Sequence, residues 1–205
     1  MDRGPDSPRV VRLVRELMVQ YPKRVDCILG NHDEWYVRYE RHEQVFMATN
    51  KPNPMSTSPE KIAIFHSLSC EDLAWLAQRP VFLSTPAWLA VHGGVPEGVT
   101  QREQLNSKLY RQQALRLRNV DSKGKMLPLG EAGTPWAERY DGRFGKVIYG
   151  HQVYPLIQRS KNALGIDTGC CFGRALTVLE LDYYGNELGV YSVPAQKVYS
   201  QFIES

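Results

Sequence analysis

Three of the five histidines share one local setting, an apolar run followed by glycine and histidine at its exit. The three are Ile28-Leu29-Gly30-Asn31-His32-Asp33, Leu89-Ala90-Val91-His92-Gly93-Gly94 and Val147-Ile148-Tyr149-Gly150-His151. In open α/β sheets, ligands gather outside the carboxyl ends of the strands. Glycine at such an exit lets the backbone turn sharply and lets an ion or a phosphate come close. A neutral imidazole and an asparagine carbonyl oxygen are both donors for divalent cations such as Mn²⁺. His32, His92 and His151 with Asn31 are donors enough for one ion. The other two histidines lack this setting. His42 lies in a charged helical stretch and His66 near a helix end, and both are expected to be structural or solvated.

The elements that must position these residues follow from periodicity. Ser7-Pro8 reads as an N-cap and first helical residue. Behind it Val10, Leu13, Val14, Leu17 and Met18 recur at helical spacing, until Tyr21-Pro22. Val25, Cys27, Ile28 and Leu29 then form a strand-like run. Residues 33–46 are polar and aromatic and read as a helix, and the proline-rich stretch from Asn50 to Pro59 as a loop. Two short helices are expected next. Ser69 and Asp72 form a capping-box pair on the second, with Leu73, Leu76 and Ala77 as its apolar face. Val81-Phe82-Leu83 and Trp88 to Val91 read as strands, residues 101–118 as a surface helix with solvated arginines, and 121–135 as a loop. Strands are expected at Lys146–Tyr149, Leu164–Ile166 and Ala175–Leu181, and alternation continues over 187–203 beyond a Tyr184-Gly185-Asn186 turn. The pattern runs from α/β early to mostly β late, within one domain over residues 1–205.

GNHD, VHGGV, and GH followed by IDTGC resemble the motifs of the calcineurin-like metallophosphoesterases. More narrowly they resemble bacterial members of the phosphoprotein phosphatase family, which includes the symmetrical diadenosine tetraphosphatases. DRG in the opening Met1-Asp2-Arg3-Gly4-Pro5 matches the second half of that family's GD-x-x-DRG motif, and the ordered match runs from residue 2 to about residue 181. HGGVPEG and IDTGCCFG lean towards the bacterial diadenosine-tetraphosphatase-like branch. The resemblance implies an α/β fold, a four-layer αββα sandwich, and hydrolysis of phosphate esters or anhydrides by a metal-activated water. It implies that Asn31, His92 and His151 bind the second of two metal ions. It makes His32 the general acid, oriented by Asp2, and has Arg3 grip a phosphate that Asn31 also meets. A further phosphate-gripping arginine is expected before the GH strand, with Arg139 and Arg143 as candidates and Arg139 preferred. Asp167, in GIDTG, reads equally as a turn former or as a partner to a ligand.

The sequence departs from the family at its start. The Asp-x-His motif that holds the first ion, and the bridging Asp of GD, have no counterpart. The expectation is a chain lacking a strand–helix–strand unit of roughly 30 residues, and with it the first strand or strands of the sheet. Such a chain holds one ion at most and has doubtful activity. The alternative is a truncated, non-catalytic module that binds metal or phosphate.

Composition narrows the partners. The 25 basic and 22 acidic residues leave a net charge of +3, too small and too dispersed to argue for nucleic acid. No stretch approaches the ~18 apolar residues of a membrane span, and the charged, turn-forming start is unlike a signal peptide. Cys27, Cys70, Cys170 and Cys171 do not form a secreted disulfide framework, so a reducing cytoplasm is expected. Cys170-Cys171 reads as alternating burial at a strand end. The expected substrate is a phosphorylated protein, a nucleotide or a small ester, and the expected ion is Mn²⁺, with Fe or Zn also suited to the donors.

Overall fold

The structure is a computed structural model that describes residues 1–201. The single domain expected over 1–205 is built as two compact units, Met1–Arg79 and Pro80–Ser205. Together they give the mixed α/β class that the sequence implies.

The first unit is helical. Its elements are α1 (Ser7–Gln20), α2 (Asn31–Thr49), α3 (Pro59–Ser67) and α4 (Cys70–Ala77). The cap of α1 is Asp6, not Ser7. The Asp6 carboxylate accepts from Arg9 N–H at 3.1 Å, whereas the Ser7 hydroxyl is taken by Asp2 N–H at 3.0 Å. The helix packs on a face that keeps only part of the expected stripe, with Val14, Leu17 and Met18 half-buried. Val11 is buried, while Val10 and Leu13 are exposed. Four residues on from Val11, on the same face, Arg15 reaches the acidic start of α4 and pairs with Glu71 and Asp72. Around Val11 the core gathers Trp35, Tyr36 and Tyr39 of α2, then Leu68, Leu73 and Leu76. Trp35 and Tyr39, one turn apart, stack at 4.9 Å between ring centroids.

The capping box of α4 forms as expected. Ser69 Oγ accepts from Asp72 N–H, and Asp72 Oδ2 accepts from Ser69 N–H, both at 3.1 Å. The Asp72 side chain is fully buried and also meets the guanidinium groups of Arg12 and Arg15. Burial pushes its carboxyl pKa up, but the Ser69 donors and Arg15 outweigh this and hold it below the ordinary value. A depressed folded pKa gives stability that is present above the unfolded value of about 3.9. That stability is lost as pH falls through the lower folded value. Asp72→Asn should therefore cost about 2 kcal/mol at neutral pH. It should also flatten the decline of helix stability between pH 5 and pH 2, followed by far-UV circular dichroism in urea. An unchanged slope would contradict this account.

One expected strand is missing. Residues 25–29 pair with no strand among the described residues. A strand is defined by its ladder partner, so an apolar run alone does not make one. Leu29 is nevertheless buried, and Gly30 enters α2 with extended backbone.

The second unit carries the sheets. Strands β1 (Phe82–Ser84), β2 (Trp88–Val91), β5 (Lys146–Tyr149), β6 (Gln158–Arg159) and β7 (Ala163–Gly165) form one sheet in the order β1-β2-β5-β7-β6. Its three central strands, β2, β5 and β7, run parallel, and the two edges are antiparallel. Leu89, Val91, Val147 and Ala163 are almost fully buried, as the near-continuous apolar runs of central parallel strands require. Two short strands, β3 (Asn119–Val120) and β4 (Thr134–Pro135), pair across the 121–135 region expected to be a loop, with β4 at its end. A hairpin of β8 (Ala175–Leu181) and β9 (Glu187–Pro194) follows. Its turn is organised by Asp182, whose Oδ1 accepts from Tyr184 and Asn186 N–H at 2.8 Å. The alternation expected up to residue 203 ends as strand at Pro194, and residues 202 and 203 lie outside the described residues.

Residues 101–118 are not one surface helix. They form a 3-10 turn, Arg102–Asn106, and a short helix, α5 (Arg111–Arg116), with Leu105, Ala114, Leu115 and Leu117 buried. Nor is Arg102 solvated, since its guanidinium donates to the carbonyls of Thr85, Pro86 and Phe144. Cys170 and Cys171 lie half-buried in a 3-10 turn, Cys170–Phe172, so the expected alternation at a strand end is not what holds them.

Candidate active site

The first unit holds an acid–imidazole pair. His32 is the second residue of α2, and its Nδ1 lies 2.8 Å from Asp2 Oδ2. With the carboxylate ionised, Nδ1 donates and Nε2 is the ring's outward nitrogen. The Asp2 side chain is 9% exposed and that of His32 is 27% exposed. Asp2 sits in the left-handed region, at φ 91°, where few non-glycine residues are found. Burial raises the Asp2 carboxyl pKa, but the hydrogen bond and charge of His32, then Lys61, outweigh it and hold it below the ordinary carboxylate value. Lys61, from α3, places Nζ 3.8 Å from Asp2 Oδ2 and 4.5 Å from the centroid of the Trp35 ring. Nothing in the sequence marks Lys61, because it follows a proline-rich loop and carries no motif. Burial, then the Asp2 charge, pushes the Tyr36 phenol up. Asn31 opens α2 immediately before His32, and Arg3 is exposed beside Asp2 in the chain.

The second unit holds the histidine pair. The β2–β5 register pairs Val91 with Tyr149, so the residues beyond both strands emerge together. Gly150 N–H donates to the His92 carbonyl at 2.9 Å, which extends the ladder past the strand ends. The His92 and His151 rings lie 5.0 Å apart, inclined at 61°. Two imidazoles on one ion, with metal–nitrogen bonds of about 2.0–2.1 Å, bring ring centroids to about this separation. The pair therefore fits two ligands of a single divalent ion. His151 adopts φ 67°, in the left-handed region. Among the described residues no group of three or more His, Cys, Asp or Glu is gathered closely enough to hold an ion. The asparagine expected to join the pair, Asn31, is a donor of another kind and belongs to the first unit.

Asp167 Oδ1 accepts from Gly169 N–H at 3.1 Å, which makes it a turn former. Its carboxylate also lies against Gly150, with Oδ2 4.0 Å from where a Cβ would be. Arg139 is bound within its own unit. Its guanidinium donates to the carbonyls of Asp121 at 2.8 Å and Ser122 at 2.9 Å and pairs with Glu97 at 3.2 Å. Arg143 pairs with Asp141 at 3.2 Å, donates to the Pro96 carbonyl and lies near the Tyr140 and Phe144 rings. Both arginines line one polar cavity of about 120 Å³.

The glycines of VHGGV serve packing. A Cβ on Gly93 would meet the backbone of Ala114, Leu115 and Arg116 at 2.7–2.8 Å, and one on Gly94 would meet the Trp136 ring at 2.4 Å. Both glycine N–H groups donate to the Ala114 carbonyl. At Gly150 a Cβ would make only ordinary contact.

Comparison with known proteins bears on this arrangement. No family model matches the chain. It is 26% identical over 182 residues to the bis(5′-nucleosyl)-tetraphosphatase PrpE [asymmetrical] of Oceanobacillus iheyensis, covering 86% of this chain and 68% of that one. It is 29% identical over 206 residues to the protein of the same name from Halalkalibacterium halodurans, covering 96% and 76%. A crystal structure provisionally assigned as a diadenosine tetraphosphatase superposes with a TM-score of 0.70 at 22% identity, covering 95% of this chain and 77% of that one. The ordered motifs, the relatives matched along most of the chain and the shared fold agree in one likeness, to the calcineurin-like phosphoesterases and, within them, to the diadenosine-tetraphosphatase-like branch.

Proposed function

We propose that this protein hydrolyses bis(5′-nucleosyl) tetraphosphates asymmetrically, with His32 as the acid that protonates the departing phosphate oxygen. The observation that carries the reading is the His32–Asp2 pair. A carboxylate on Nδ1 orients the imidazole, which leaves Nε2 as the nitrogen that can present a proton to a leaving group. The names of the relatives supply the substrate. They add the word asymmetrical, where the motifs alone resemble the symmetrical enzymes as well. Water attacks one phosphorus, the bridging oxygen leaves with the proton from His32, and the four-phosphate chain divides into a nucleoside monophosphate and a nucleoside triphosphate.

His92 and His151 would hold a divalent cation, for which Mn²⁺ is our choice. When bound, it would neutralise phosphate charge and lower the pKa of the attacking water. Arg3 would meet phosphate oxygens, for which a guanidinium is matched in shape and charge. Arg139 takes this second role only if a phosphate competes with Glu97 and the two carbonyls. We place the reaction in a reducing cytoplasm, supported by the scattered spacing of the four cysteines, which is unlike a secreted disulfide framework. No helix among the described residues is long and apolar enough to cross a membrane.

The test is incubation with diadenosine tetraphosphate and Mn²⁺, with products resolved by anion exchange. Equal amounts of AMP and ATP are expected. Two ADP molecules would overturn the asymmetric reading. Turnover of a phosphopeptide with none of the dinucleotide would overturn the substrate class. One ion bound with no turnover of either would favour the non-catalytic module.

A further inference from the structure

We propose that Lys61 is a positioning residue for the Asp2–His32 pair, its ammonium seated between the Trp35 ring and Asp2 Oδ2 so that the carboxylate keeps its aim at Nδ1. The inference rests on the role proposed for His32 and assigns a part to α3, which no motif marks.

Asp2 needs such a device. It lies outside any helix or strand, with a backbone conformation that few aspartates hold. Ser7 Oγ anchors its N–H, but that bond leaves the carboxylate free to turn about its own axis. Oδ2 faces His32 Nδ1 at 2.8 Å and Lys61 Nζ at 3.8 Å, and the Tyr36 phenol also meets the Asp2 carboxylate. His32 cannot orient the group that is meant to orient it, and Lys61 supplies a cation from α3 that holds the carboxylate rotamer.

The placement of Lys61 also runs against local preference. Pro59 opens α3, so Lys61 is the third residue of the helix, in the first turn, where the helix dipole disfavours a cation. Departures from local rules concentrate at functional sites. Here the opposing interactions are visible. The Trp35 face draws the ammonium, and Trp35 is itself held by stacking on Tyr39 and by burial. Trp35 also stands three residues beyond His32 on α2, so both share one helix face. The flexible lysine stem is thus held at its head by the rigidly placed Trp35 face. Its base is held by the Ser58 cap, whose hydroxyl accepts from Lys61 N–H at 3.4 Å.

The test compares phenyl phosphate, whose leaving group needs a proton, with p-nitrophenyl phosphate, whose leaving group does not, in the presence of Mn²⁺. Loss of an aimed acid lowers kcat only for the first. Lys61→Met should lower kcat for phenyl phosphate about tenfold, part of the 10²–10⁴ that general acid catalysis contributes. It should leave p-nitrophenyl phosphate within about twofold, with KM unchanged for both, and Lys61→Arg should recover most of the loss. Equal losses on both esters mean a structural role, and a change confined to KM means a phosphate contact. Either result overturns the proposal, as does an unaffected Lys61→Met beside a His32→Ala that shows the selective loss.

If His32→Ala shows no such selectivity, or if the wild type does not turn over, the role of His32 fails first. Imidazole ¹⁵N spectra recorded with Mg²⁺ then decide on Lys61 by itself. The wild-type ring should hold its neutral proton on Nδ1, and Lys61→Met should average the two tautomers. A ring unchanged by the substitution overturns the positioning role.

Discussion

Replacing His32 with alanine is expected to slow diadenosine tetraphosphate hydrolysis by about 10²–10⁴-fold, the range over which a positioned acid contributes. The loss should fall on kcat, because the side chain acts on the departing oxygen and not on the bound phosphate. His32 is partly exposed and lies at the start of α2, outside the aromatic core of the first unit, so its truncation should leave helix content and melting behaviour unchanged. Asp2→Asn should give a smaller loss, since the amide oxygen can still meet Nδ1 but carries no charge to hold the ring. Steady-state kinetics on both variants check this order. A His32→Ala enzyme within a few-fold of wild type would remove the acid from the proposal.

The second large effect is on folding. Gly93→Ala is expected to destabilise the second unit by about 3 kcal/mol. The added methyl would point at the backbone of α5, at 2.7–2.8 Å from Ala114, Leu115 and Arg116. Backbone cannot yield as a side chain end can, and Ala114 and Leu115 are fully buried. Separating the helix from the strand end would also stretch the two hydrogen bonds to the Ala114 carbonyl. Gly150→Ala, at the exit of β5, should cost under about 1 kcal/mol, because its methyl finds ordinary contact distances. Hydrogen exchange of peptides covering β2 and β5 separates the two variants without assuming that the whole chain unfolds in one step. Equal protection in both would show that the glycines after β2 are not there for packing.

These two glycine sites look alike as sequence, and they illustrate what local reading resolves. A strand followed by glycine and histidine is legible because burial, turn and ligand chemistry each leave a residue type at a defined spacing. Whether the glycine accommodates a ligand or a neighbouring helix depends on what packs against it, and that neighbour is more than 20 residues away in the chain. The same divide explains the errors. The run at 25–29 has the composition of a strand but no ladder partner among the described residues. The arginine-rich stretch at 101–118 has the composition of a solvated helix. It instead breaks into two pieces with buried leucines, and Arg102 ties three carbonyls together.

By itself the sequence determined the α/β class, the order of the motifs and the capping of α4. Each of these depends on residue type and short spacing, which a chain carries whether folded or not. Only the tertiary structure decided that His92 and His151 face each other, since two strands whose paired residues lie 58 positions apart must align in one parallel register to bring their ends together. Only it brought Asp2 to His32 and Lys61 to Asp2, because charges attract through space and not along the chain.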